Sequence, residues 1–390
     1  MTAEPSGLLD APPPVTGAWR EGDHPGRRRF ADLGSLGLES GQRLAGVRIA
    51  YETWGELSPA GDNAVLVLHA LTGDSHVVGE PGPGHPTGGW WDGLIGPGCT
   101  LDPQQWFVVA PNVLGGCQGS TGPATDAADG QPWGSRFPFI TVRDQVAAEV
   151  ALANRLGIER WGLVVGGSMG GMRALEWAVS QPERVERLLV LASTAYATGD
   201  QIAWCAAQLA AIRADPGFRD GDYYDAPAGQ GPQLGLGVAR RIAHVTYRSG
   251  AELNLRFGRK PQHGEQPLTG KGRYAVESYL DHHADKLVRR FDANSYLVLT
   301  EAMNTHDVGR GRGGTAAALR RVTARTAVAA VDSDRLYPVE LNQEIADAIP
   351  DCAPLTVINS PYGHDGFLIE TAEVAAVVAE LLGTRVRSRG

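Results

Sequence analysis

The sequence predicts an α/β protein built on a doubly wound, mostly parallel sheet. Short, almost continuously apolar runs recur along the chain, as is typical of strands buried on both faces of a parallel sheet. Helical patterns separate several of these runs, and this alternation of strand and helix favours an α/β domain. The 390 residues, of which 43% are hydrophobic and 20% charged, can bury a large core.

The composition argues against several classes of function. There are 35 basic and 44 acidic residues, so the net charge of −9 disfavours a whole-chain affinity for nucleic acid or an anionic membrane. The N-terminus lacks a signal-peptide pattern and no apolar stretch is long enough to cross a membrane, so we expect a soluble, cytoplasmic protein. The cysteines and histidines lack metal-ligand spacing, which predicts reduced cysteines and no metal site.

The predicted elements follow one another in chain order. Residues 1–40 are rich in Pro, Gly and Arg, so we expect an extended or partly ordered N-terminal arm, with regular structure beginning after it. Strands are predicted at 47–54, 64–69, 106–110, 161–166, 188–192, 326–331 and 355–359. Helices are predicted at 141–156 and 169–180.

The alternation stops after the fifth predicted strand and resumes with the sixth. Between them, helical segments occur at 201–214, 236–247 and 274–290, without a run that resembles a buried strand. We interpret residues 199–309 as a helical lid inserted between two late strands. Residues 41–198 and 310–390 would then form the core.

A candidate nucleophile lies where a predicted strand meets a predicted helix. The sequence Gly166-Gly167-Ser168-Met169-Gly170 matches GxSxG, the nucleophile elbow, in the strand-turn-helix context that the motif requires. Small residues are needed around such a serine because the turn is tight and strained. Ser168 would lie at the N-terminus of the helix, where the Met169 N–H can stabilise an oxyanion. A glycine-rich turn with a capping serine is the alternative.

A serine nucleophile needs a base and an orienting acid, which follow it on this fold as acid and then histidine. The sixth predicted strand leads to Asp332 and Asp334. We prefer Asp334 because Asp332, closer to the strand end, can serve as a turn residue. The seventh strand leads to His364. His306 precedes the acid and so violates the order, and His69 ends an early strand; we interpret His306 as structural or pocket-lining and His69 as structural.

The second oxyanion donor on this fold comes from the loop after an early strand. In this chain that loop follows the predicted strand 64–69. The N–H of Leu71 is the candidate, and Ala70 is its competitor.

Seven segments, taken together, resemble homoserine O-acetyltransferases. They are HALTGDSH, PNVLGGCQGSTGP, GGSMGGMRALEW, ARRIAHVTYRS, NTHDVGRGRGG, DSDRLYP and YGHDGF. The resemblance extends from about Tyr51 to the C-terminus and leaves the N-terminal arm outside. It implies an α/β-hydrolase fold with a helical lid and a homodimer built through the lids. It also implies acetyl transfer from acetyl-CoA, a co-substrate, to L-homoserine in methionine biosynthesis, without a permanently bound cofactor.

The resemblance also assigns site residues. Its catalytic residues are those of the pattern analysis, namely Ser168, Asp334 and His364. It places the substrate arginine at Arg240, a pocket tyrosine at Tyr247 and a substrate contact at Asp365. A guanidinium suits the carboxylate of homoserine and a carboxylate suits its ammonium group. Arg241, beside Arg240, could exchange roles with it.

Several alternatives stay open at the level of sequence. Fold alone cannot separate the acetyltransferase from a homoserine O-succinyltransferase, a serine O-acetyltransferase or a serine esterase. A binding module without catalysis is a further class, which the intact Ser, Asp and His set disfavours. Lys271, Arg310 and Arg312 are weak candidates for contacts with the phosphates of CoA. Thiol release that depends on homoserine would distinguish transfer from hydrolysis.

Overall fold

One mixed sheet organises residues 11–383, the part of the chain that this computed structural model describes. Its strands are β1 (Arg29–Gly37), β2 (Arg43–Trp54), β3 (Ala64–Leu68), β4 (Phe107–Pro111), β5 (Leu163–Gly167), β6 (Arg187–Leu191), β7 (Arg325–Val331) and β8 (Thr356–Ile358). They lie in the order β1-β2-β4-β3-β5-β6-β7-β8. The pairs β1/β2 and β2/β4 are antiparallel and the others parallel. The prediction of a doubly wound, mostly parallel sheet is confirmed.

Helices cover both faces of the sheet and the edge where the parallel strands end. They are α1 (Val142–Arg155), α2 (Met169–Ser180), α3 (Gly199–Arg213), α4 (Gln233–Tyr247), α5 (Gly250–Arg256), α6 (Ala275–Val288), α7 (Ala293–Asn304), α8 (Thr315–Leu319), α9 (Val339–Ala348), α10 (Gly366–Ile369) and α11 (Thr371–Leu382). No helix of the described residues is both long and apolar enough to cross a membrane.

The sheet separates two hydrophobic cores. Every residue of β3 and β5 is buried, as the continuous apolar runs require. Consecutive residues face opposite sides, so Val65 and Leu66 belong to different cores. Helices α1, α2 and α9 pack on the Leu66 side, and α11 packs on the Val65 side. The two cores fix the sheet and the ends of its strands.

Residues 199–309 lie between β6 and β7 and carry α3 to α7. Their apolar side chains form a third core with the start of α2, in which Leu209, Leu236 and Tyr296 lie in the same cluster as Met169 and Met172. Three helices of this segment begin at side-chain caps, Thr198 for α3, Ser249 for α5 and Asp292 for α7. The inserted helices are therefore packed directly over the nucleophile turn.

The N-terminal region differs from the expectation. Regular structure does not begin after residue 40, because β1 lies within the predicted arm. Only Ala31 of β1 is buried, and its pairing with β2 shifts register on both sides of Gly34. An edge strand of this kind has neither an apolar run nor a regular alternation of apolar and polar residues, so its sequence does not predict it. Residues 1–10 of the predicted arm lie outside the described residues.

Candidate active site

Ser168 occupies a strained turn between β5 and α2. Its backbone has φ 57° and ψ −125°, a conformation that residues other than glycine rarely adopt. The turn is also crowded: a Cβ on Gly166 would lie 2.2 Å from the Gly170 carbonyl oxygen, and one on Gly170 would lie 2.0 Å from that of Leu68. The Ser193 hydroxyl donates to the Ser168 carbonyl oxygen at 2.8 Å and helps hold the turn. The glycines of GxSxG are thus required by packing.

His364 and Asp334 form a buried pair. His364 Nδ1 lies 2.7 Å from Asp334 Oδ2. The other oxygen, Asp334 Oδ1, accepts from the backbone N–H groups of Leu336 at 2.8 Å and Tyr337 at 2.9 Å. These contacts fix the carboxylate, and the Tyr337 ring stacks on the imidazole with centroids 4.9 Å apart. The imidazole is therefore held from two sides.

Asp332 has a different set of contacts. Its Oδ1 accepts from the Ser360 N–H and its Oδ2 from the Asn359 amide, each at 3.0 Å. The side chain thus joins the β7 loop to the β8 loop and does not reach His364. The structure brings Asp334, and not Asp332, to the histidine.

A cavity of about 310 Å³ brings the remaining predicted residues together. Its walls include Ser168, His364, Asp365, Arg240 and Tyr247. Ser168 comes from the end of β5, His364 and Asp365 follow β8, and Arg240 and Tyr247 come from α4. Core and inserted helices therefore meet in one cavity at the carboxyl ends of the parallel strands, where open α/β sheets place their ligands.

Two backbone N–H groups near Ser168 are the candidates for binding an oxyanion. Met169 is the first residue of α2, so its N–H has no acceptor within the helix and lies at the positive helix end. Leu71 follows β3 and lines the same cavity as Ser168. Ala70 also lines this cavity. The Ala70 carbonyl oxygen accepts from the Gly73 N–H at 2.9 Å, which turns the Leu71 N–H of the same trans peptide group in the opposite direction. Leu71 stays the preferred second donor.

Arg240 presents an unsatisfied cation to the cavity. Its Nε and Nη1 atoms are buried without a hydrogen-bond partner, and its guanidinium lies 5.5 Å from the centroid of the Tyr247 ring. Burial raises the pKa of Tyr247 to about 12, so this phenol is neutral. Arg241 instead donates twice to Asp281 Oδ1, at 2.8 and 2.9 Å. An anion in the cavity would therefore meet Arg240.

Asp365 supplies the opposite charge in the same cavity. Its Oδ2 lies 3.3 Å from Arg248 Nη1, and Arg248 also donates to Glu252 at 2.9 Å. Burial raises the pKa of Asp365, although Arg240 and His364 oppose the rise. The sequence analysis missed Arg248. It directly follows Tyr247 in ARRIAHVTYRS, but nothing in the sequence shows that its guanidinium reaches Asp365.

Sequence reasoning also missed four titratable residues of the cavity wall, which are Asp74, His244, His283 and Arg290. The His244 and His283 rings stack with centroids 4.0 Å apart. Burial and the charge of Arg240 lower the pKa of His244 to about 2 and that of His283 to about 3. Both imidazoles are therefore neutral, and they add polarity to the wall without adding charge. Their helices, α4 and α6, are adjacent only in the folded chain.

Two other histidines have structural contacts. His69 Nε2 accepts from the Val113 N–H at 3.1 Å, and its Nδ1 lies 2.7 Å from the Ala70 carbonyl oxygen. His306 Nε2 lies 3.2 Å from the Thr194 carbonyl oxygen. Burial lowers the pKa of His69 to about 3 and that of His306 to about 4. Both rings are bonded to the backbone, as expected for structural histidines.

Two of the three candidate phosphate contacts, Arg310 and Arg312, are engaged elsewhere. Arg310 pairs with Glu39 at 2.8 Å, and Arg312 pairs with Glu176 at 2.6 Å. Neither arginine lines the cavity that contains Ser168. These two residues therefore serve as ion-pair partners, and a contact with CoA at either would require breaking that pair.

One cluster of the described residues has ligand types suited to a metal ion: Glu52, His76 and His85. The two rings stack with centroids 3.9 Å apart and planes 12° from parallel, so a single ion cannot lie in both ring planes. His85 Nε2 also accepts from the Arg27 N–H at 3.0 Å. The cluster fits a hydrogen-bonded network better than a metal centre.

The fold and this cavity define the class of protein. A family model described as alpha/beta hydrolase fold matches residues 63–371. The esterase E22, a solved structure 25% identical to this chain, superposes with a TM-score of 0.83 over 91% of this chain and 99% of its own. The chain is an α/β hydrolase by fold, with a serine, histidine and aspartate set at the strand ends.

More similar relatives narrow the class. The homoserine O-acetyltransferase of Thermobifida fusca (strain YX) is 66% identical over 372 residues, which are 95% of this chain and 98% of that protein. The solved homoserine O-acetyltransferase of Bacillus anthracis is 26% identical and superposes with a TM-score of 0.84 over 93% of this chain and 99% of its own. The chain belongs to the homoserine O-acetyltransferase family.

Proposed function

We propose that this protein transfers an acetyl group from acetyl-CoA to the hydroxyl of L-homoserine, a step of methionine biosynthesis, through an acetyl-Ser168 intermediate. The family supports acetyl transfer to homoserine, while the residues of the cavity support the route. The alternatives of succinyl transfer, transfer to serine and ester hydrolysis have less support, because the relatives at 58–66% identity are all named homoserine O-acetyltransferases.

The first half-reaction acylates the enzyme. His364 removes the proton from the Ser168 hydroxyl, and Oγ attacks the thioester carbonyl carbon. The resulting oxyanion accepts hydrogen bonds from the Met169 and Leu71 N–H groups. The C–S bond then breaks, and the thiol of CoA leaves with the proton from His364. Asp334 Oδ2, 2.7 Å from His364 Nδ1, orients the ring and stabilises its positive charge.

The second half-reaction passes the acetyl group on. The homoserine hydroxyl occupies the place of the departed thiol and gives its proton to His364 as it attacks the acetyl carbon. The bond to Ser168 breaks, and O-acetylhomoserine leaves with Ser168 reprotonated. Arg240 holds the substrate carboxylate and Asp365 its ammonium group, since these opposite charges line one cavity.

Water is the competing nucleophile in the second half-reaction. The inserted helices α3 to α7 pack over the nucleophile turn through the third core. A covered cavity favours the acceptor over water because it excludes bulk solvent and positions the hydroxyl. Esterase E22 shares this fold over 91% of the chain, so the fold alone does not provide the preference, and we attribute it to the side chains that line the cavity.

The observation that carries the proposal is the pairing of His364 with Asp334 in one cavity with Ser168 and the unpartnered Arg240. Intact-mass spectrometry tests it. Wild-type protein mixed with acetyl-CoA alone should gain one acetyl group, which homoserine then removes. Ser168→Ala should gain none, and thiol release should fall by at least about four orders of magnitude. Unchanged transfer by Ser168→Ala would refute the mechanism.

The quaternary structure and location belong to the same proposal. We propose a homodimer built through the lids and a cytoplasmic site of action. The lid exposes apolar side chains on two helices that pack together, with Ile202 of α3 39% exposed and Leu234 of α4 78% exposed. We infer that these side chains contribute to the interface. Sedimentation velocity checks the dimer, and a monomer at micromolar concentration would contradict it.

A further inference from the structure

Two cavities meet at Ser168, one on each side. The larger is the cavity described above, of about 310 Å³, which His364 lines. The smaller has about 30 Å³, and His364 does not line it. Leu71, Ser168 and Tyr247 border both cavities. The nucleophile and a proposed oxyanion donor therefore stand between a large space that contains the base and a small one that does not.

The chemistry of the reaction assigns a group to each side. His364 must give a proton to the departing thiol and later take one from the attacking hydroxyl, so both groups must lie on the side of His364. At the tetrahedral carbon, the remaining substituent is the acyl chain, since the other positions hold Ser168 Oγ, the oxyanion and the leaving group. The acyl chain must therefore point away from His364, toward the smaller cavity.

We propose that this smaller cavity is the acyl pocket and that it restricts the donor to a short, uncharged acyl group; the inference rests on the proposed acetyl-Ser168 mechanism. The cavity volume of about 30 Å³ is enough for a methyl group, which is comparable in size to a water molecule. A butyryl group adds two methylene groups to this, and a succinyl group adds one methylene group and a carboxylate.

Four of the fourteen residues that line the acyl pocket form one stripe of α3. Its members stand at spacings i, i+3, i+4 and i+7, which share a helix face, and they are Gln201, Trp204, Cys205 and Gln208. The polar members are engaged: the Gln201 amide donates to the Leu336 carbonyl oxygen at 2.9 Å, and Gln208 Oε1 accepts from the Tyr296 hydroxyl at 2.6 Å. The wall is consequently anchored on both sides of Trp204 and Cys205.

Charge acts in the same direction as size. Among the described residues that line the acyl pocket, none is lysine, arginine or histidine. A succinyl carboxylate placed there would lose its water without gaining a cation, which is strongly unfavourable. Burial raises the pKa of Cys205 to about 12, so its thiol is neutral and adds neither charge nor a competing nucleophile. The pocket thus disfavours succinyl-CoA for two independent reasons.

The test compares acyl donors in variants that open or fill the pocket. Wild type should use acetyl-CoA at least about tenfold better than butyryl-CoA in kcat/KM, since each excess methylene typically costs a factor of about 10 to 200. Trp204→Ala removes the largest wall residue and should raise the butyryl-to-acetyl ratio at least about tenfold. Cys205→Leu fills the pocket and should slow acetylation of Ser168 by at least about tenfold. Succinyl-CoA should acylate wild type at least about a hundredfold more slowly than acetyl-CoA.

Trp90→Ala is the matched control, because Trp90 lines only the larger cavity. The same truncation there should affect both donors alike and leave the ratio within about twofold of wild type. If Trp90→Ala broadens the donor range and Trp204→Ala does not, the acyl group lies on the side of His364 and the inference is wrong. If Trp204→Ala does not fold, Cys205→Leu provides the test, and acetylation of its Ser168 at the wild-type rate would show that the inference is wrong. Wild type that is never acylated by acetyl-CoA refutes the mechanism itself.

Discussion

The core and the inserted helices contribute different halves of the proposed site. The core supplies Ser168, Asp334 and His364 from the ends of its strands, and their positions are fixed by backbone contacts such as the Leu336 N–H to Asp334 at 2.8 Å. The helices supply Arg240, whose Nε and Nη1 atoms have no partner. The Asp334 carboxylate and His364 Nδ1 have hydrogen-bond partners before substrate arrives, whereas Nε and Nη1 of the residue proposed to recognise substrate do not. Changes to Ser168, Asp334 or His364 should therefore slow both half-reactions, and changes to Arg240 only the second.

The largest loss of activity is expected for Asp334→Asn. The amide would leave His364 poorly oriented and would not stabilise its positive charge, so kcat should fall by about three to four orders of magnitude. Because His364 acts in both half-reactions, acetylation of Ser168 and its deacetylation by homoserine should slow together. Stopped-flow measurement of each half-reaction checks this.

Asp332→Asn is the matched control for this variant. It makes the same change two residues away, on a side chain that contacts Asn359 and Ser360 and not His364. Its kcat should stay within about tenfold of wild type, and the main effect should be on stability. Reversed effects of the two variants would show that the wrong acid has been assigned to His364.

The second effect is expected for Arg240→Ala, which should separate the half-reactions. Acetylation of Ser168 should stay nearly intact because acetyl-CoA does not need this contact. The value of kcat/KM for homoserine should fall, because a charged hydrogen-bond pair is lost. The fall should correspond to a loss of about 2 to 4 kcal/mol of transition-state stabilisation. Arg240→Lys should recover only part, since an ammonium group cannot make the planar two-point contact.

Arg241→Ala controls for loss of a positive charge on the same helix, because Arg241 already pairs with Asp281. It should leave both half-reactions within a few-fold of wild type. If Arg240→Ala slows acetylation as much as deacetylation, Arg240 belongs to the fold or to the CoA site. The division of labour between core and inserted helices would then fail.

The same contrast explains how much of the molecule could be predicted. The fold class and the central strands were predictable because β3 and β5 are continuous apolar runs that tertiary contacts do not override. The edge strand β1 was missed because only one of its residues is buried. The helix α7, whose segment is apolar on most sides, was also missed, since nine of its twelve residues are buried and no amphipathic period remains.

The candidate site divides in a similar way. Ser168 lies in a motif whose glycines are required by contacts as short as 2.0 Å, so the pattern itself carries the geometry. The pair of Asp334 and His364 could be ordered from strand ends alone. Arg248 and His283 carried no such signal, because their role depends on which helices of the insertion become neighbours. Sequence motifs report local strain well and long-range helix packing poorly.

The smallest effect concerns the seam between the two regions, formed by residues 194–197 and 306–308. Here the Ala197 N–H donates to the His306 carbonyl oxygen at 2.9 Å, and the Val308 N–H donates to that of Ala195 at 3.0 Å. His306 is buried within the seam, and its Nε2 lies 3.2 Å from the Thr194 carbonyl oxygen. The seam therefore contains a titratable group that must stay neutral for the folded state.

His306→Gln should make the free energy of unfolding less sensitive to acid. Burial lowers the pKa of His306 from 6.5 to about 4 in the folded state, so below pH 6.5 the unfolded chain binds a proton that the folded chain does not. Stability from this group is present above pH 6.5 and is lost as the pH falls toward 4. Glutamine can donate to Thr194 without titrating, so the loss of stability between pH 7.5 and 5.5 should shrink by about 1 kcal/mol.

Urea unfolding at the two pH values measures this, with the exposed His263→Gln as the control that should leave the difference unchanged. An equal loss in His306→Gln and wild type would mean that the seam is indifferent to protonation, and that the acid sensitivity resides in the core or deeper among the inserted helices.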